Sequence, residues 1–112
     1  MSGETKDRAQ EETLDPEDWE PMRKLGHKML DDMLDYMRTV RERPVWQHAP
    51  DQIKAYFNRP LPRDPQRPED VYKEFLETVL PYPIGNIHPR FWGWAIGTGT
   101  VLSALAELLA AL

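Results

Sequence analysis

The sequence predicts an all-α segment, three main helices joined by a proline-rich arm. Three observations carry that reading. Met22 to Val40 holds apolar residues at three-to-four spacing, the period of one helix face. Nine of the eleven prolines fall between Pro44 and Pro89. Each removes a backbone donor and fixes φ, so that stretch is neither a continuous helix nor a central strand. Val101 to Leu112 is apolar except for Ser103 and Glu107, too short to span a bilayer but long enough for a buried helix.

At 112 residues the chain is one small domain. It has no cysteine, which excludes a disulfide framework and a thiolate metal site. The net charge of −5 is uneven: residues 1–20 carry −6 and residues 21–112 carry +1. The acidity therefore belongs to a tail. No basic stripe is present, which disfavours a nucleic-acid partner. Met1-Ser2-Gly3-Glu4 opens no signal peptide, so a soluble, cytoplasmic protein without membrane contact is expected.

The elements follow in order. Residues 1–14 are polar and aperiodic, a flexible acidic tail. Residues 15–43 form the amphipathic helix. Asp15-Pro16-Glu17-Asp18 has the pattern of a helix start, but Pro21 would kink a helix begun at Pro16, so the main body alternatively starts near Asp18 to Glu20. The stripe of this helix contains four of the five methionines, which suits either a partner-facing surface or an ordinary core face. Arg38, Arg41 and Arg43 suit its C-terminus, and Pro44 stops it.

Residues 44–67 form the proline-rich arm. Pro50 to Phe57 has room for one or two helical turns with Ile53, Tyr56 and Phe57 facing inward. Arg59 to Pro65 reads as extended, near polyproline II, and as an arm wrapped on a larger body more than as a Pro-x-x-Pro ligand. Residues 68–81 form the next helix, with Pro68 first, Glu69 and Asp70 behind it, and Pro81 ending it. Residues 82–100 form an aromatic and glycine-bearing loop. Residues 101–112 form an apolar helix whose end lacks a polar last turn, a glycine cap or a proline. That helix reads as cut within a core element or as completed by another chain.

Phe91, Trp92 and Trp94 crowd four residues around Gly93. On an extended chain Trp92 and Trp94 share one side and Phe91 takes the other, with bare backbone at Gly93. The cluster fits a pocket wall and equally a tight core corner. Gly97-Thr98-Gly99-Thr100 offers backbone N–H groups at a helix start, but it is neither a P-loop nor a dinucleotide fingerprint. The simpler reading makes Thr98 or Thr100 the N-cap.

His88 has no Ser, Cys or paired carboxylate nearby to complete an acid–base constellation, and it suits a loop backbone group instead. His27 has no second histidine at i+4 to hold a metal. Lys6, Lys24, Lys28, Lys54 and Lys73 all stand in polar contexts, not in the desolvated setting that Schiff-base chemistry needs. Neither a catalytic residue nor a cofactor or metal ligand is assigned.

Residues from about Trp19 to Leu112 resemble the N-terminal segment of pyridoxal-phosphate-dependent group II decarboxylases, the aromatic-L-amino-acid decarboxylase-like family. The likeness lies in Leu25-Gly26-His27-Lys28-Met29-Leu30-Asp31 and Arg59-Pro60-Leu61-Pro62. It is strongest in His88-Pro89-Arg90-Phe91-Trp92-Gly93-Trp94, running into Leu105 to Ala111. The resemblance implies part of a fold-type I α/β enzyme, a tight homodimer whose N-terminal helices pack on the neighbouring subunit. It implies substrate contacts at Trp94, Gly97 and Thr98, although many members carry a bulkier or hydroxyl side chain at the position of Gly97. The cofactor, pyridoxal 5'-phosphate, would be held by family motifs beyond Leu112, so the chain reads as the front piece of a longer enzyme and as catalytically incomplete alone.

Two function classes follow. In the first, the chain supplies a dimerisation arm and one wall of the substrate pocket of an amino-acid decarboxylase, with its partner a second copy or another chain held by the amphipathic and apolar helices. In the second, it is a stand-alone helical interaction and oligomerisation module without catalysis. The amino acid taken as substrate is not specified by the sequence.

Overall fold

The structure, a computed structural model, describes residues 13–97 and 99–112. Apart from Thr13 and Leu14, the acidic tail expected over 1–14 lies outside the described residues, and so does Thr98. Among the described residues the regular elements are all helical, without a strand: α1 (Trp19–Arg38), a 3-10 turn (Val40–Glu42), α2 (Asp51–Phe57), α3 (Pro68–Thr78) and α4 (Val101–Ala110).

The start of α1 resolves the proline conflict. Asp18 is the N-cap, its carboxylate accepting from the Glu20 amide at 3.0 Å. Pro21 then falls in the first turn, where the helix needs no N–H from it. The helix ends at Arg38, earlier than the arginine run suggests. The Thr39 amide and hydroxyl both donate to the Asp35 carbonyl, at 3.0 and 2.8 Å, and the chain tightens into the 3-10 turn before Pro44.

In α2, Ile53 and Tyr56 are half-buried, but Phe57 is 60% exposed and does not face inward as its spacing suggests. Seven residues are too few to bury three apolar side chains against so sparse a neighbourhood. The arm from Asn58 to Arg67 is exposed along its whole length. α3 opens with Pro68, and the Arg67 guanidinium grips Asp70 with two bonds of 2.8 and 2.9 Å. It stops at Thr78, because Pro81 biases Leu80 away from helical backbone and the amides of Val79 and Leu80 both fold back on the Phe75 carbonyl.

α1 and α3 pack together, and the small core sits around them. Its buried apolar members are Leu25, Tyr36 and Tyr72. Much apolar surface stays open: Met29 is 42% exposed, Val71 48% and Leu102 76%. α4 is capped as a free helix start, with Thr100 and Ser103 exchanging a capping box, yet only its Leu105 is half-buried. An all-round apolar helix would be buried in a closed domain. Here it stands as an exposed patch.

Candidate functional site

Two features remain for chemistry once the helices are placed: the aromatic bend after His88, with the clasp that holds it, and the open apolar faces of α1.

The clasp forms because proline has removed the alternative. Segments 43–47 and 81–90 run antiparallel, but Pro44, Pro81 and Pro83 have no N–H to give a ladder. No backbone–backbone hydrogen bond joins these segments among the described residues. Side chains donate instead. Gln47 Nε2 donates to the Pro81 carbonyl at 2.7 Å, and His88 Nε2 bonds the Arg43 carbonyl at 3.0 Å. Between these two points Gly85 is buried at φ +87°, and a Cβ there would lie 2.0 Å from the Val45 carbonyl oxygen. Only glycine allows that approach.

His88 is 6% exposed, and both ring nitrogens are engaged. Nδ1 accepts the Arg90 amide at 3.0 Å, so it carries no proton. The ring proton of the neutral imidazole is therefore on Nε2 and donates to Arg43. The ring satisfies loop backbone and has no free nitrogen for acid–base work. At the far end of the clasp, the Arg43 guanidinium lies 4.2 Å from the ring centroid of the buried Tyr36.

Beyond His88 the chain does not run extended. The Phe91 amide bonds the His88 carbonyl at 2.9 Å, residues 93–95 bend, and Trp94 adopts φ +44°. The alternation expected of a strand is thereby lost. Phe91 and Trp94 do not take opposite sides; their rings stand 6.0 Å apart at 59°. The bare backbone of Gly93 is approached by Phe91 itself, whose Cζ lies 3.0 Å from where a Cβ would be. Trp92 and Trp94 are 93% and 77% exposed. Gly97 is exposed, with nothing within 4 Å of its Cβ position. Thr100, not a residue further back, caps α4. Of the three predicted substrate contacts, Trp94 and Gly97 thus lie on an open surface and Thr98 is outside the described residues.

The methionine stripe of α1 borders two apolar grooves. One, of about 660 Å³, runs between α1 and α3 and is walled by Met22, Leu25, Val71 and Phe75. The other, of about 410 Å³, runs between α1 and α4 and is walled by Leu30, Leu34, Val101 and Leu108. Met29 and Met33 line both. α1 is thus a ridge with an open apolar trough on each flank.

The lysines do not suit a cofactor aldehyde. Lys24, Lys28, Lys54 and Lys73 are all exposed. Lys28 is paired with Asp32 at 2.7 Å, and Lys54 lies 3.2 Å from His48 Nε2. His27, by contrast with His88, is exposed on α1. Among the described residues no group of His, Asp or Glu side chains could hold a metal, and no helix is long and apolar enough to cross a membrane.

Sequence reading missed Gln47 and the Asp32–Tyr72 pair, which join residues 34 and 40 positions apart. The one signal for the clasp was a glycine between proline-rich segments, which marks a close approach without naming its partner.

The chain is similar to plant enzymes of aromatic amino-acid metabolism. It is 28% identical over 102 residues to tyrosine decarboxylase 2 of Narcissus pseudonarcissus, covering 90% of this chain and 20% of that protein. It is 26% identical over 102 residues to tryptophan decarboxylase 2 of Oryza sativa subsp. japonica, with the same coverage. It is 28% identical over 99 residues to phenylacetaldehyde synthase of Arabidopsis thaliana, covering 88% of this chain and 20% of that protein. The chain therefore spans about a fifth of the length of the curated relatives it matches. The resemblance to the N-terminal segment of group II decarboxylases, read above from residues 19–112, agrees with these matches. No protein-family model matches the chain, and no solved structure does.

Proposed function

We propose that this chain forms the N-terminal dimerisation arm and one wall of the substrate pocket of a pyridoxal-phosphate-dependent decarboxylase acting on aromatic amino acids. The observation that carries the reading is the match over nine-tenths of the chain to decarboxylases of tyrosine and tryptophan. The exposed methionine ridge of α1 supports the arm: a small core leaves these faces to a second copy or to the rest of the enzyme. The aromatic bend supports the wall, with Trp94, Gly97 and Thr98 as the residues beside the substrate. A tryptophan face and a side-chain-free glycine leave room for a flat aromatic ring.

The residues described here do not fit pyridoxal phosphate. A Schiff-base lysine works from a desolvated site, and these lysines are exposed. We therefore place the cofactor and the bond-breaking chemistry outside the described residues. One of the matched relatives is named for an aldehyde product and the others for decarboxylation, so the shared segment does not by itself select the reaction.

The test has two arms. Pyridoxal phosphate added to this chain, followed by borohydride, is expected to leave no stoichiometrically labelled lysine. In the complete enzyme, Trp94→Ala is expected to raise KM for an aromatic amino acid with little change in thermal midpoint; unchanged kinetics would remove Trp94 from the wall. The same exposed ridge also favours the second reading, a stand-alone helical oligomerisation module. Sequencing the reading frame past the Leu112 codon separates the two: a continuing frame with a cofactor lysine supports the enzyme, and an immediate stop supports the module.

A further inference from the structure

The clasp does more than close a loop. An unbroken set of contacts leads from the buried face of α1 to the aromatic pair. Tyr36 carries the Arg43 guanidinium, the Arg43 carbonyl takes the His88 Nε2–H, and the His88 carbonyl takes the Phe91 amide. Phe91 then meets Trp94. The imidazole is the one side chain in this set that bonds both segments at once, through Arg43 on one side and Arg90 on the other.

We propose that His88 is the positioning residue of the aromatic bend, a clasp locked in its Nε2–H tautomer that ties Phe91–Trp94 to the exit of α1 through the Arg43 carbonyl. The lock follows from donor and acceptor arithmetic. The Arg90 N–H can only donate, so Nδ1 must accept; the Arg43 carbonyl can only accept, so Nε2 must donate. Moving the proton to Nδ1 places donor against donor at one end and acceptor against acceptor at the other, and flipping the ring puts C–H groups in place of both nitrogens. The prolines make the contact hard to replace, because the neighbouring backbone offers few N–H groups. The charged side chains adjoining the ring in sequence and by bonding are Arg43 and Arg90, both cationic, and no carboxylate bonds the imidazole among the described residues. If the bend is a pocket wall, as proposed above, the clasp sets that wall relative to the methionine ridge. The clasp itself is a property of this chain and is tested without the enzyme.

Two substitutions divide the imidazole into its halves. In His88→Gln the amide nitrogen falls near the position of Nε2 and keeps a donor toward Arg43. In His88→Asn the amide oxygen falls near Nδ1 and keeps only the acceptor for the Arg90 amide. The full chain is followed by near-ultraviolet circular dichroism of its aromatic groups, by amide exchange at Phe91, and by imidazole nitrogen chemical shifts. In the unmodified chain, His88 is expected to show a pyridine-like Nδ1 and a protonated Nε2. His88→Gln should retain the aromatic signal. His88→Asn should lose it and exchange the Phe91 amide about five- to tenfold faster, the effect of one net hydrogen bond. Retention in Asn with loss in Gln would assign the positioning to the local turn and overturn the clasp. Equal signals in all three chains would overturn it too. If both variants unfold, the tautomer in the unmodified chain decides: an Nδ1–H ring, or one exchanging evenly between tautomers, refutes the proposal. Because none of these readouts needs substrate or cofactor, a failed clasp is distinguishable from a failed enzyme assignment.

Discussion

The Tyr72 hydroxyl donates to the Asp32 carboxylate at 2.7 Å and so fixes α3 against α1 across 40 residues of sequence. Lys28, one turn before Asp32, reaches the same carboxylate oxygen at 2.7 Å. Burial first, and then the Asp32 hydrogen bond, push the Tyr72 phenol up to about 12. Lys28 first, and then Tyr72, hold the Asp32 carboxyl below its ordinary value. In a core with so few buried members, this bond specifies which faces of the two helices meet.

Tyr72→Phe should therefore lower stability by about 0.5–1.5 kcal/mol, the usual net worth of an intramolecular hydrogen bond with one partner partly exposed, while the ring still fills its place. The pH dependence has a definite sign. A raised tyrosine stabilises fully below its unfolded value of 10.0, and the contribution is lost as pH rises through about 12. A lowered aspartate stabilises above its unfolded value of 3.8, and the contribution is lost as pH falls through its lower folded value. Urea midpoints of the two chains should thus differ most at neutral pH and converge toward both extremes. Parallel curves over the alkaline limb would show that the bond does not contribute as described.

Gly85→Ala should destabilise the chain by more than about 2 kcal/mol, combining left-handed backbone with a backbone clash. The added Cβ would stand 2.0 Å from the Val45 oxygen. Gly97→Ala meets nothing within 4 Å and should leave the unfolding free energy within about 0.5 kcal/mol of the parent. Denaturation of the pair side by side checks both. A tolerated Gly85→Ala would mean that the 43–47 and 81–90 segments are not held together.

Met29 and Met33 face both grooves of α1, and Met29 is 42% exposed. Changing both to Asp should abolish self-association of the chain while sparing the α1 helix, since charges on an open face disturb an interface more than a fold. Sedimentation combined with far-ultraviolet circular dichroism reads the two effects separately. A monomeric parent indistinguishable from the double variant would remove the ridge as an association surface.

Among the described residues, the exposed arm should be the first site of proteolysis. Of its three arginines, Arg59 and Arg67 precede prolines, which block trypsin, whereas Arg63 precedes Asp64. Brief trypsin treatment should cut after Arg63 and yield two fragments identifiable by mass. First cleavage within α1 would show that the helix opens more readily than the arm.

Local rules in the chain are strong where one segment alone decides. The spacing of Leu25, Met29 and Met33 dictates a helix whatever surrounds it, and Pro68 followed by two acids starts the next one. The prolines at 44, 81 and 83 exclude a ladder. The all-α character and the aromatic-decarboxylase resemblance of the His88–Trp94 block were legible at that level. Tertiary contact alone decided the rest. Nothing local to Trp94 predicts φ +44°, and the period-two rule that placed Phe91 opposite it holds only for extended backbone. Nothing local to His88 identifies Arg43 as its acceptor, because a hydrogen bond between residues 45 apart depends on where two chain segments happen to lie together. Periodicity and proline chemistry act over a few residues through sterics and lost donors. The direction of a side chain at the clasp, and the approach that forces a glycine at 85, are set by a neighbour distant in sequence and so exist only in the folded arrangement.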